Sequence, residues 1–403
     1  MSRKSLIGLD ALNLFLADVR DGIGPYLAIF LMASYQWDAA SIGIAMSSMG
    51  IATMIAQTPA GAFIDRTKHK KLVMAVASTA VAASCISMTI FVTLPMIVFA
   101  QVITGIAAAF LAPGLASITL GLVGRSQLSK RTGRNEAFNH AGNVVAAAGA
   151  GLLGHYVARE WIFYLVAAMA LFSMLSVTFI QDDDIDHAVA RGCDKDDDTE
   201  TKFGEGTASY LELLKDKKLL LFAFTMLLFH FANAPMLPLV GQLLSQGKAT
   251  GASLLMSACI IIAQLVMIPT ALVAGRLSQS IGRRPVMLVA LIVLPLRGFL
   301  YTLSKDPYYL VGVQALDGIG AGIFGVTSVL MIADLTKGTG RYNIAAGALA
   351  TAVGLGASVS TIVSGYVVVK LGYVAAFNML GVIALAAAAM FWFLVPETSR
   401  QTK

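Results

Sequence analysis

The chain has 403 residues, 57% of them hydrophobic and only 13% charged, with a formal net charge of +6. Soluble domains carry about 25% charged residues, so this composition excludes an ordinary soluble enzyme and points to an all-α membrane protein that crosses the bilayer many times. The basic residues fall mostly in short loops between apolar runs. They give a topology signal and no footprint for nucleic acid. Cys85 and Cys259 fall in apolar runs and Cys193 in a polar one, with no disulfide framework and no metal-ligand spacing. No cofactor is expected.

A window of about 19 residues separates twelve spans. They cover residues 6–33, 40–63, 71–93, 95–122, 136–158 and 161–180, then 219–246, 251–274, 285–304, 307–333, 343–369 and 373–396. The first run is too long for a signal-peptide core, has charges inside it and lacks a small-residue cleavage site, so it is expected to stay as the first span.

That first span carries Asp18, Arg20 and Asp21 near its middle. At 1.5 Å per residue, Asp18 lies roughly 18 Å from the Leu6 end, close to the centre of a hydrocarbon layer about 30 Å thick. Ionisable groups at that depth cost several kcal/mol, and a functional reading is their default. Asp18 and Asp21 share a helix face, about 60° apart, while Arg20 points away from Asp18. Two neighbouring carboxylates repel, so one should hold a proton more tightly than a solvated Asp. Two readings stand: proton or substrate coupling, or a static ion pair with Arg20 that positions the helix. Gly22, Gly24 and Pro25 follow at once and should break the helix.

Between the sixth and seventh spans lies the one long hydrophilic stretch, 181–218, rich in Asp at its start. It reads as a flexible linker between an N-terminal half, 1–180, and a C-terminal half, 219–403. If both termini are cytoplasmic, most of the 29 basic residues lie on that side.

The halves repeat each other. GAFIDRTKHKK, opened by Gly61, follows the second span, and GRLSQSIGRRP, opened by Gly275, follows the eighth. Gly105 in QVITGIAAA matches Gly318 in QALDGIGAG, and Thr132-Gly133-Arg134 recurs as Thr339-Gly340-Arg341. Pro25 interrupts the first span, and Pro235 with Pro238 interrupt the seventh. Repeated halves with broken helices at matching places point to a transporter with a site near the bilayer midplane.

With these motifs the chain resembles bacterial members of the major facilitator superfamily over nearly its whole length. The family's loop signature, G-x-x-x-D-R/K-x-G-R/K-R/K, is met by Gly61, Asp65, Arg66, Lys70 and Lys71, with Lys68 in place of the second Gly. The later copy keeps Gly275, Gly282, Arg283 and Arg284 but has Gln279 where the Asp would stand. The resemblance implies twelve helices in two pseudo-symmetric six-helix bundles, and a role for Asp65 and Arg66 in latching the halves on the cytoplasmic side. Drug–proton antiporters of the superfamily carry an Arg four residues before the fourth-span Gly. Gln101 stands there, and Gln314 in the tenth span.

Further candidates lie elsewhere in the spans. Arg297 in the ninth span and Asp317 in the tenth fall roughly 12 and 15 Å from the outer face, close enough in depth to pair. They form either a structural clamp or, through Arg297, a contact for an anionic substrate. His230 and Asn233 occupy the place in the seventh span that corresponds to the charged stretch of the first. Asn139, His140 and Asn143 fall on one side of the fifth span. With Gln314, these residues are the expected substrate cavity. Gly320–Gly325 satisfies G-x-G-x-x-G inside an apolar helix, where small-residue packing explains it better than nucleotide binding. Residues 241–250 miss the P-loop spacing, so no ATP is expected and an ion gradient should supply the energy.

The sequence thus predicts a monomeric secondary transporter of the bacterial inner membrane, moving a small molecule with protons. Efflux is favoured. A proton-linked importer of an organic anion is the alternative, and a non-transporting sensor or enzyme is the reading from another class.

Overall fold

The computed structural model describes residues 2–19, 23–191, 217–246, 251–336 and 342–398. Among these, all regular structure is helical. Eight helices are long and apolar enough on their own to cross a membrane. One of them, Ala345–Leu394, holds both the eleventh and twelfth spans, parted at Gly372 by a non-helical φ of 84°. The remaining three spans are built differently. The first is split into Arg3–Val19 and Pro25–Tyr35. The fifth is continuous with the fourth in Leu94–Tyr156, bent at Gly124. The ninth, Arg283–Leu300, carries three arginines. The total is twelve.

Chain contacts divide the protein into two compact units, Met1–Phe30 with Ser48–Glu200, and Leu31–Ser47 with Thr201–Lys403. Each is held by the same kind of contact. In the first unit, a Cβ added at Gly142 of the fifth span would lie 2.0 Å from the Leu14 carbonyl of the first, and one at Gly105 of the fourth would lie 2.3 Å from the Met49 carbonyl of the second. In the second unit, a Cβ added at Gly356 of the eleventh span would lie 2.3 Å from the Leu227 carbonyl of the seventh, and one at Gly318 of the tenth would lie 2.3 Å from the Ala263 carbonyl of the eighth. Lipid tails are as apolar as side chains, so spans cohere by close backbone approach rather than by hydrophobic burial. The same two helix pairs, first with fifth and second with fourth, meet through a glycine in each unit.

The seventh span repeats the break of the first. Lys217–Asn233 ends before Pro235, and Met236–Gln246 resumes with Pro238 in its first turn. Pro235 and Pro238 lack amide hydrogens and cannot continue the ladder. In the first span, Gly24 takes φ +50° just ahead of Pro25.

The linker begins differently from a free tether. Asp182–Asp184 and Val189–Arg191 form short 3-10 turns, and Ile185, Val189 and Ala190 are buried. The amide of Asp186 donates to the Gly121 carbonyl at 3.0 Å, and Ser117 Oγ donates to the Ala190 carbonyl at 2.8 Å. The acidic run that suggested a solvated coil conceals an apolar set, which docks on the C-terminal end of the fourth span. Asp184 accepts hydrogen bonds from the Ser2 amide, Ser2 Oγ and Ser5 Oγ at 2.6–2.9 Å, and these hold its carboxyl well below the usual range. Residues 192–216 of the linker lie outside the described residues.

Candidate functional site

The second unit holds a buried polar cluster at mid-span. Arg297 is 1% exposed and donates to Asp317 of the tenth span. Its second Nη reaches Asn233 Oδ1 at 2.7 Å and the Asn233 carbonyl at 3.4 Å, while Nε points at Met236 Sδ at 3.3 Å. The carbonyl belongs to the broken end of the seventh span, where a cation is favoured by the helix dipole. Gln314, at the bend between Pro307–Val313 and Ala315–Leu335, donates to Asp317 Oδ2 at 2.9 Å and accepts from the Tyr301 hydroxyl. The sequence singled out Arg297, Asp317, Asn233 and Gln314, and the structure brings all four together. Tyr301 and Met236 complete the set and were missed. Tyr301 lies one helical turn beyond Arg297, which was the available signal.

A cavity of about 10 Å³ opens beside this cluster, lined by Asn233, Arg297 and Asp317 with Phe229, Leu294 and Gly320. That is about the room one water molecule needs. His230 is half-buried next door, its Nδ1 3.1 Å from the Met226 carbonyl. Its ring meets Phe324 edge-on at 4.6 Å, and Phe324 stacks on Phe229 at 5.4 Å. His230 therefore joins an aromatic group at the border of the cluster.

In the first unit, Asp18 is half-buried one residue before the end of Arg3–Val19, within electrostatic reach of the buried Cys85 thiol of the third span. Arg20 and Asp21 lie outside the described residues. Asn139, His140 and Asn143 are all half-buried on the fifth span, around the Gly142 contact with the first. Gln101, which matches Gln314, is buried, and its Oε1 has no hydrogen-bond partner among the described residues.

The loop signatures hold their own units together. Lys70 is fully buried, donating to the Ile64 and Thr67 carbonyls at 2.6 and 2.9 Å, which locks the turn after Gly61. Asp65 and Arg66 are exposed and engaged in interactions of their own. In the second copy, a Cβ added at Gly275 would come to 3.8 Å from Val326, and Arg283 pairs with Asp334 at 3.2 Å. Glu397 accepts from the backbone amides of Arg283 and Arg284 at 3.0 and 3.1 Å, and the Arg284 guanidinium lies over the Trp392 ring.

One cluster was not anticipated. Asp10 in the first span binds Arg131 at 2.6 Å and Arg134 at 2.7 Å, both beyond the Gly124 bend. Arg131 also donates to Asn135, which donates to Thr119. Burial pulls the Arg131 guanidinium down from its usual range and Asp10 opposes that, whereas the hydrogen bonds that exposed Arg134 donates to Asp10 push its guanidinium up.

Comparison with known proteins now decides the family. The family described as Major Facilitator Superfamily matches residues 11–270 and 219–403. The chain belongs to the major facilitator superfamily. Two uncharacterized MFS-type transporters from Mycobacterium tuberculosis, in strains CDC 1551 / Oshkosh and H37Rv, are each 47% identical over 390 residues, covering 97% of this chain and 93% of theirs. A chloramphenicol resistance protein of Pseudomonas aeruginosa is 30% identical over 138 residues, 34% of this chain and 33% of that protein. In fold, the nucleoside transporter NupG superposes with a TM-score of 0.77 at 20% identity, covering 98% of this chain and all of that one. A mutant form of NupG gives a TM-score of 0.81. The superfamily fold of twelve helices is therefore this chain's fold. The chain is a multi-pass membrane transporter and no enzyme.

Proposed function

We propose that this transporter expels a small organic molecule across the bacterial cytoplasmic membrane in exchange for protons, as a monomer with both termini in the cytoplasm. Halves 1–180 and 219–403, joined through 181–218, alternate access to a midplane cavity. Asp18 and Asp21 carry the proton, Arg20 tunes them, and the cargo meets Asn139, His140, Asn143, His230, Asn233 and Gln314. Asp65, Arg66, Arg283 and Arg284, with their glycines Gly61 and Gly275, shape the cytoplasmic gate. No ATP enters the cycle.

The observation that carries this reading is the placement of ionisable groups at mid-depth in helices that break beside them, which is costly unless it serves ion or substrate passage. Efflux is supported by the chloramphenicol resistance relative. Arg297 supports a clamp in place of an anion site, because its donors face Asp317, Asn233 and Met236 and 1% of it is exposed.

The test is flux in proteoliposomes. Candidate cargoes come from a thermal-shift screen across pH, and hits are followed under an imposed pH gradient in both directions. Outward-directed cargo movement should need the gradient and collapse with an uncoupler. Asp18→Asn and Asp21→Asn should each abolish proton-linked flux while the protein stays folded. Gradient-independent flux, or full coupling in both variants, would overturn the carrier assignment.

A further inference from the structure

We propose that the exposed face shared by the second, third and fourth spans holds one anionic diacyl phospholipid, its headgroup at the loop 66–71 and its two chains in two adjoining troughs. The troughs are apolar and have volumes of about 500 and 430 Å³. The first runs between the second and fourth spans along Ile55, Pro59 and Val102. The second runs along the third span past Leu72, Val76 and Ile103. Phe63 and Phe110 belong to both, their rings 5.9 Å apart and edge to face, and form the ridge between them.

Geometry ties both troughs to one loop. The second span ends at Arg66 and the third begins at Lys70. From Phe63 back to Ala52 one trough descends roughly 16 Å, and from Leu72 on to Ala80 the other descends roughly 12 Å. Two furrows that diverge from one turn match two acyl chains that diverge from one glycerol. Their walls stay open, with Ile55 68%, Leu72 62% and Val76 60% exposed.

Charge at the shared end selects the headgroup. Lys68 and His69 are exposed, and Lys71 stands at 3.2 Å from Asp182, a carboxylate that is itself 72% exposed. The loop carries Arg66, Lys68, Lys70 and Lys71 against Asp65. Buried Lys70 ties down the backbone of this turn through the Ile64 and Thr67 carbonyls, which sets where the neighbouring cations branch from it. Basic side chains at this level attract anionic lipid by about 1 kcal/mol each, a factor of roughly five. A zwitterionic headgroup would gain far less.

The experiment uses the full chain in detergent, read by native mass spectrometry and thermal unfolding, with phosphatidylglycerol, phosphatidylcholine of the same chains, and single-chain lysophosphatidylglycerol. Phosphatidylglycerol should be retained one per protein and raise Tm, with phosphatidylcholine weaker. The Lys68→Gln/Lys71→Gln variant should weaken phosphatidylglycerol roughly 25-fold, about fivefold per lysine. Asp182→Asn, which frees Lys71, should preserve or strengthen it. Ala80→Trp should block one trough and lower diacyl retention while sparing the lyso form. Equal retention of phosphatidylcholine, or an unchanged preference in the lysine variant, would overturn the site. So would displacement of the phosphatidylglycerol by a transported cargo, which would make the troughs a cargo path.

Discussion

Arg297 and Asp317 are bound to each other between the ninth and tenth spans, and Arg297 has no more than 1% of its surface exposed. Removing Asp317 leaves the buried Arg297 charge without its counter-ion. Asp317→Asn should therefore destabilise the protein by about 3–5 kcal/mol, seen as a large fall in Tm in detergent. Replacing both, as Arg297→Met with Asp317→Leu, should restore most of that stability. Flux in the double variant then separates the roles: a clamp predicts transport retained, whereas a stable but inactive protein would place the pair in the transport step. Exchanging the two charges should likewise rescue a clamp in part.

The Asp10 cluster predicts unequal losses from its two arginines. Arg131 has 7% of its side chain exposed and Arg134 60%. Asp10→Asn strands a buried guanidinium and should cost about 3–5 kcal/mol. Arg134→Gln breaks an exposed pair and should cost no more than about 1 kcal/mol. Chemical unfolding of the two variants side by side measures the difference.

Gly105 and Gly318 should respond alike to added bulk. Either Gly→Val change drives a methyl group into a carbonyl 2.3 Å away and forces two spans apart. A loss of about 1–3 kcal/mol or more is expected, with poor monodispersity in size-exclusion chromatography. Val at Gly133, where no atom lies within 4 Å of the added carbon, should be tolerated far better.

Asp38 links acid to the start of the second span. Its carboxylate accepts from the amides of Ala40 and Ser41 at 2.9 and 3.0 Å and from Ser41 Oγ, and the Ser41 amide bond leads in holding its pKa below the usual range. The folded value lies below the unfolded one, so the stabilisation is complete above the ordinary carboxylate range and fades as pH falls through the folded value. Asp38→Ala should cost about 0.5–2 kcal/mol at neutral pH. Asp38→Asn should cost little there and remove this acid dependence, as read from hydrogen exchange at Ala40 and Ser41.

The fold was legible because it rests on composition, on runs of apolar residues and on repeats such as Gly105 and Gly318, all of which survive in one dimension. Breaks at Pro25 and Pro235 were legible for the same reason: a missing amide hydrogen is a local fact. Depth along a helix could also be counted, which put Arg297 near the level of Asp317. Rotation about the helix axis could not, and rotation decides that Asn233 and Gln314 join that pair while His230 turns to Phe324. Asp10 escaped notice because its partners sit between the fourth and fifth spans, where cations are explained equally well by topology. The docked segment 182–190 escaped because Ile185, Val189 and Ala190 are sparse among acids and show no period.

That docked segment changes where the chain takes leave of the first unit. Its departure point is the end of the fourth helix, beside Ser117 and Gly121, and not the end of the sixth. Any tension carried by the chain beyond this segment is thus delivered to a helix that packs, through Gly105, against the second, and not to the sixth helix from which the chain runs on.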